Sequence, residues 1–174
     1  FGGRVDMIIM RFIDVLIAFP SIILIIFVVT FLSSALPVLI VTIGVLFIPR
    51  FARVMYGMTL AAREVEYVEA YRALGSRHWR ILLRGILPNV FAPVLVQTTL
   101  SLGDAILLES GLSFLGLGPP PPAIAWGRMV AEAGPFMHLS VYGLLWPAAV
   151  ISLAVLAFNV FGDAVRDLVD KRRA

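Results

Sequence analysis

Long apolar runs alternate with short polar ones along this chain, and their lengths set the first expectation. Residues 15–49 form a run of 35 without a charge. One helical crossing of a bilayer takes about 20 residues, so this run holds most of two. Ser33, Ser34 and Pro37 break it at a surface turn. Residues 85–103 and 139–162 are two further uncharged runs. The pattern predicts spans at about 13–32, 37–56, 86–108 and 141–161. Pro20 falls near the start of the first, where a helix tolerates proline, and Pro49 is expected to kink the second. The expected fold is an all-α, polytopic transmembrane helical bundle, a single membrane domain over residues 1–174.

Two stretches interrupt the apolar pattern. Residues 109–140 contain four consecutive prolines, Pro119 to Pro122, and cannot cross a membrane as a helix. A short amphipathic helix is predicted there at Trp126–Ala133. Residues 63–85 form the other polar segment. Glu64, Glu66 and Glu69 lie in it, and so do Arg72, Arg77, Arg80 and Arg84. Ala70, Ala73 and Leu74 fall at i, i+3 and i+4 and share a helix face, which Ala61, Val65 and Val68 extend in part. Gly75 suits the position just past a helix end, and Ser76 is placed to cap a second helix. The predicted form is a helix, a glycine turn and a helix, with a small-residue face suited to a groove on another protein.

Composition agrees with a membrane protein. The chain is 60% hydrophobic and 14% charged, with mean hydropathy +0.98, against about a quarter charged in soluble domains. It has no cysteine, hence no disulfide or thiolate chemistry. The basic residues give an orientation instead of a nucleic-acid site. Arg4 and Arg11 precede the first span. Arg50, Arg53, Arg63, Arg72, Arg77, Arg80 and Arg84 surround the polar segment, and Arg166, Lys171, Arg172 and Arg173 follow the last span. Only Arg128 falls elsewhere. By the positive-inside rule both ends and residues 63–85 are cytoplasmic, and 109–140 is external. Arg50 and Arg53 are expected to snorkel to the headgroups. The start, Phe1-Gly2-Gly3, resembles neither an initiator nor a signal peptide, so a truncated fragment of a longer protein is expected.

No phosphate-binding Gly-x-x-x-x-Gly-Lys-[Ser/Thr] loop is present. His78 and His138 have no partner at metal-ligand spacing, and no metal, cofactor or catalytic residue is expected. An intramembrane enzyme would have to use Asp14, Asp104, Glu109 and the two histidines, which the topology scatters over both faces. Trp126 and Trp146 fit interfacial anchors, with substrate stacking open to Trp126. Gly103 and Gly111 are expected to permit close helix packing, and Glu109 with Ser110 to cap or solvate.

Glu69-Ala70-Tyr71, Gly75 and Leu87-Pro88 resemble the Glu-Ala-Ala-x-x-x-Gly…Leu-Pro signature of ABC-transporter permease subunits. Tyr71 replaces the usual second alanine, and Ile86 stands one place later than in the general pattern. Tyr67-Val68-Glu69-Ala70, Arg72-Ala73-Leu74-Gly75 and Ile86-Leu87-Pro88-Asn89 resemble the dipeptide/oligopeptide/nickel group. Gly111 to Gly118, Pro121-Pro122, Trp126-Gly127, Met10-Arg11, Asp14, Ala18 to Ser21, Ala157-Phe158-Asn159, Gly162-Asp163 and Arg166-Asp167 resemble its C-type subunit. The resemblance covers nearly the whole chain. It implies an inner-membrane permease of a prokaryotic, ATP-driven, binding-protein-dependent importer of peptides or solutes such as nickel complexes. It also implies further N-terminal spans. Its implied partners are ABC ATPase subunits that hydrolyse the ATP, a second homologous permease subunit, an external solute-binding protein and the lipid membrane. Glu69, Ala70, Tyr71, Ala73, Leu74 and Gly75 would form the coupling helix that docks on the ATPase. Asp104 would line the pore, unless it lies shallow and paired near the outer end of its helix. The alternative to transport is a membrane scaffold or assembly protein, which would not need this spacing.

Overall fold

A computed structural model describes residues 3–171, with side chains to Leu168. Arg172 and Arg173, used for the orientation above, and Phe1-Gly2 lie outside the described residues. Every regular element among those described is helical: α1 (Gly3–Ala18), α2 (Ser21–Phe31), α3 (Leu36–Ala62), α4 (Glu66–Ala73), α5 (His78–Arg80), α6 (Leu87–Phe114), α7 (Trp126–Ala133) and α8 (Tyr142–Lys171). A π-helical segment, Ile81–Ile86, joins α5 to α6, so helix is continuous over His78–Phe114. The chain is all-α, and α3, His78–Phe114 and α8 are each long and apolar enough to cross a bilayer. Together α1 and α2 make a fourth candidate, as a broken span.

That break corrects the expectation of one helix over 13–32. Pro20 does not sit in the first turn of a longer helix. Its ring disfavours α geometry at Phe19, and Pro20 itself is extended, with φ −59° and ψ 121°. So α1 stops at Ala18 and α2 starts afresh at Ser21. The turn at residues 33–35 stands where the serines suggested. The Ser33 hydroxyl accepts the Ala35 N–H at 3.0 Å, the local side-chain bond that competes with helix. By contrast α3 runs unbroken through Pro49. The missing proline N–H costs the helix one backbone bond and leaves one carbonyl free.

The chain divides into two compact units, and α3, α6 and α8 contribute a part to each. The first unit comprises Phe1–Ala18, Ile48–Thr98 and Gly162–Ala174. Its core is Val68, Ile81, Ile86 and Val90, with Met58, Ala62, Tyr67, Tyr71 and Val94 packed around them. Here α1 is tied to α3 by Arg53 donating to Asp14 at 3.2 Å and the Tyr56 hydroxyl donating to Asp6 at 3.2 Å. Arg53 therefore has an ion-pair partner on α1.

The second unit comprises Phe19–Phe47 and Thr99–Phe161. Its core is Ile25, Val29, Leu39 and Leu112, with Ile43, Leu46, Leu108 and Leu117 around them. The cores are small for so apolar a chain. Within the most apolar windows of α3, His78–Phe114 and α8, only 17%, 22% and 6% of residues are buried by the chain itself. Apolar faces of that extent need lipid or another subunit to cover them.

Candidate functional site

The polar segment between α3 and α6 folds into a small, well-anchored unit. Glu66 and Glu69 lie in the first turn of α4 and Arg72 in its last, each sign complementing the helix dipole. Tyr67, Val68 and Tyr71 face inward, and Val68 is fully buried. Glu66, Glu69, Ala70 and Ala73 face outward and are exposed. Leu74, just past the helix, is 82% exposed. The structure thus keeps Ala70, Ala73 and Leu74 together on an open face. It removes Val68 from that face, because Val68 lies two positions before Ala70 and so nearly opposite it on a helix. It also turns Tyr71 toward its own chain, away from Ala70 and Ala73.

The end of α4 is fixed by backbone. Gly75 has φ +68°. Its N–H donates to the Arg72 carbonyl at 2.9 Å, and the Ser76 N–H to the Tyr71 carbonyl at 3.0 Å. These paired bonds are the Schellman closure, and they need a residue content with left-handed geometry. Ser76 is therefore spent on closing α4. The cap of α5 is Arg77, in extended conformation and with no side-chain bond to the helix.

Beneath α4, the π-helical segment begins. The Leu87 N–H reaches back five residues to the Leu82 carbonyl. Such segments occur as local widenings of α-helices, often at functional sites. Gly85 is buried under the Tyr67 and Tyr71 rings, which stand 3.6 to 3.7 Å from where a side-chain carbon would begin. Asn89, one turn later, donates its amide to the Tyr67 hydroxyl at 3.0 Å and to the Gly85 carbonyl at 3.0 Å. Tyr67 and Tyr71 on one helix and Gly85 and Asn89 on the next, each pair at i and i+4, clamp α4 to the start of α6. Sequence reasoning missed this clamp. Its only trace was the matched spacing of the two pairs.

In the second unit, Asp104 is exposed on α6 and lines a hollow of about 330 Å³ with Ile22, Leu107, Leu108, Gly111, Leu112 and Leu115. Among the described residues it is the one charged group in that lining. Gly103 does pack closely: a methyl there would lie 3.5 Å from Asn159 Oδ1 and 3.6 Å from Val155 on α8. Gly111 does not, having open space within 4 Å, which corrects the expectation that both serve packing. Glu109 accepts a hydrogen bond from the Ser113 hydroxyl one turn on.

A second Schellman closure ends α6. Gly116 has φ +78°, its N–H donates to Ser113 at 3.1 Å, and the Leu117 N–H donates to Leu112 at 2.8 Å. The proline loop that follows is held from α7. The Arg128 guanidinium donates to the carbonyls of Pro119 and Ala123 and lies 3.8 Å from Glu132. Gly127 lies against the Ser110 backbone so closely that no side chain fits there. Trp126 is part-exposed at the start of α7 and Trp146 is largely exposed on α8. His78 stands on α5 and His138 follows α7, both exposed.

Known proteins resemble this chain along nearly its whole length. The glutathione transport system permease protein GsiD of Pectobacterium atrosepticum is 40% identical over 172 residues, 99% of this chain and 57% of its own length. The dipeptide transport system permease protein DppC of Alkalihalophilus pseudofirmus is 38% identical over the same coverage. GsiD of Escherichia coli O6:K15:H31 is 41% identical, again across 57% of its length. The chain thus spans little more than half of these curated relatives. The model of one family matches residues 1–174 without a gap at either end. The chain belongs to the family of binding-protein-dependent transport system inner membrane components.

Proposed function

We propose that the chain is part of the permease subunit of an ATP-driven importer and that α4 is its contact with the ATPase. The carrying observation is the division of α4 into two faces. Tyr67, Val68 and Tyr71 are fastened to the chain's own core, while Glu69, Ala70, Ala73 and Leu74 are left bare. An exposed leucine flanked by alanines and a carboxylate is a surface for a groove. The clamp through Gly85 and Asn89 makes α4 a rigid end of α6, so a push on the outer face moves the long helix with it.

In this reading residues 63–85 face the cytoplasm, with both chain ends, and residues 109–140 face outward, which the distribution of basic residues supports. ATP is hydrolysed in partner subunits. A second, homologous permease subunit supplies the other half of the pore and covers apolar faces such as that of α8. An external binding protein delivers the solute. Short peptides are the proposed class, because the relatives are named for glutathione and dipeptide transport. Asp104 faces the path, where a carboxylate in an apolar hollow meets a peptide amine. The scaffold alternative has no observation in its favour.

The test is copurification and ATP-driven peptide uptake by the complete assembly. Leu74→Asp is expected to abolish ATPase association and uptake while leaving the permease in the membrane. Unimpaired association and uptake in that variant would overturn the assignment.

A further inference from the structure

A second feature of the first unit lies on the inner flank of α4, apart from its outward face. Thr59 and Arg63 at the end of α3, Arg72 on α4 and His78 on α5 surround a hollow of about 230 Å³ whose floor is Ile81, Leu82 and Ile86. Among the described residues no carboxylate lines it. Among the described residues, neither Arg63 nor Arg72 has an ion-pair or hydrogen-bond partner. Two guanidiniums and an imidazole border a space that is half apolar, and that combination points to an amphipathic anion.

The position narrows the choice. The apolar helix α3 ends at Ala62 and the helix His78–Phe114 begins at the other wall. On the proposed orientation, on which this inference rests, the hollow lies where two membrane-length helices would leave the hydrocarbon, at the depth of lipid headgroups. We infer that it is a binding site for the phosphate of an anionic phospholipid. Arg63 and Arg72 face the phosphate oxygens, guanidinium geometry suiting them to phosphate. The Thr59 hydroxyl is available to donate a hydrogen bond, and Ile81, Leu82 and Ile86 take the glycerol and first methylenes. Basic pockets between helices at a membrane surface hold headgroups in this way. A partner protein's carboxylate fits less well, since it would leave the apolar floor uncovered. The site joins α3, α4 and the start of α6, so a lipid there would brace the unit that carries the outer face of α4.

The test uses the complete permease assembly reconstituted in phosphatidylcholine vesicles with and without phosphatidylglycerol. After extraction, phosphatidylglycerol retained per complex is counted by native mass spectrometry. Wild type is expected to keep it. Arg63→Gln and Arg72→Gln are each expected to lower its affinity about fivefold, the effect of one basic residue near an anionic surface. Arg63→Lys with Arg72→Lys should retain most of it, which separates charge from folding. Leu82→Trp, which fills the hollow and keeps every charge, should displace it. Equal retention in wild type and the glutamine variants would overturn the inference. So would release of the lipid from wild type by excess inorganic phosphate, which would mark a free-phosphate site. Loss of the ATPase from the glutamine variants with lipid unchanged would assign the hollow to a protein contact instead. None of these readouts needs transport, so failure here is distinct from failure of the coupling assignment.

Discussion

Gly75 and Gly127 illustrate two different demands on glycine. Gly75 has open space around it but a backbone conformation that L-residues resist. Gly75→Ala is expected to cost about 1–2 kcal/mol, seen as a lower melting temperature of the assembly, and Gly75→Asn to cost less. Gly127 has ordinary backbone geometry but no room, since the Ser110 carbonyl occupies the place of a side chain. Gly127→Ala is expected to cost about 1–3 kcal/mol by overpacking and to lower the yield of folded protein. Gly111→Ala, with nothing within 4 Å, should leave melting unchanged. Equal effects at 111 and 127 would contradict the packing described. Of these three, sequence alone pointed correctly only at Gly75, because a C-terminal cap is a local rule. Whether a glycine meets a neighbour depends on residues far away along the chain.

At the scale of elements, α4 is held by side chains rather than by its own propensity. Eight residues are too few for an isolated helix. Asn89→Ala removes the donor to both the Tyr67 hydroxyl and the Gly85 carbonyl, a loss of about 1 kcal/mol per bond. Amide exchange in α4 is expected to quicken while exchange in the middle of α6 stays as it was; unchanged protection of α4 would show that the clamp is not what holds it. The elements legible in the sequence were those with local signals. The serine turn at 33–35, the glycine end of α4 and the helix Trp126–Ala133 all stand where they were expected. Others had ambiguous signals. Pro20 suits either a first turn or a break, and only the extended backbone at Pro20 decides. The inward turn of Val68 and Tyr71 follows from packing of α4 on the π-helical segment and the start of α6, contacts between elements that the sequence does not display.

For the molecule as a whole, the unburied apolar faces and the family carry the argument. Helices that bury so little of themselves need lipid or another subunit to cover them. Membrane class and the all-α fold were readable from run lengths, because a bilayer demands them. The proposed path for solute was not, because a pore between subunits would be built from faces that only an assembly brings together. Asp104→Asn is expected to lower peptide uptake at least several-fold with binding-protein affinity unchanged; full uptake would remove Asp104 from the path. The central claim is that the bare face of α4, and not the tyrosine face, meets the ATPase. These 174 residues contain no cysteine, so a thiol introduced among them is the only one they carry. Thiol cross-linking in the complete assembly from Leu74→Cys or Ala70→Cys should capture the ATPase subunit, and Tyr71→Cys should not. Capture from Tyr71→Cys with none from Leu74→Cys or Ala70→Cys would contradict the account.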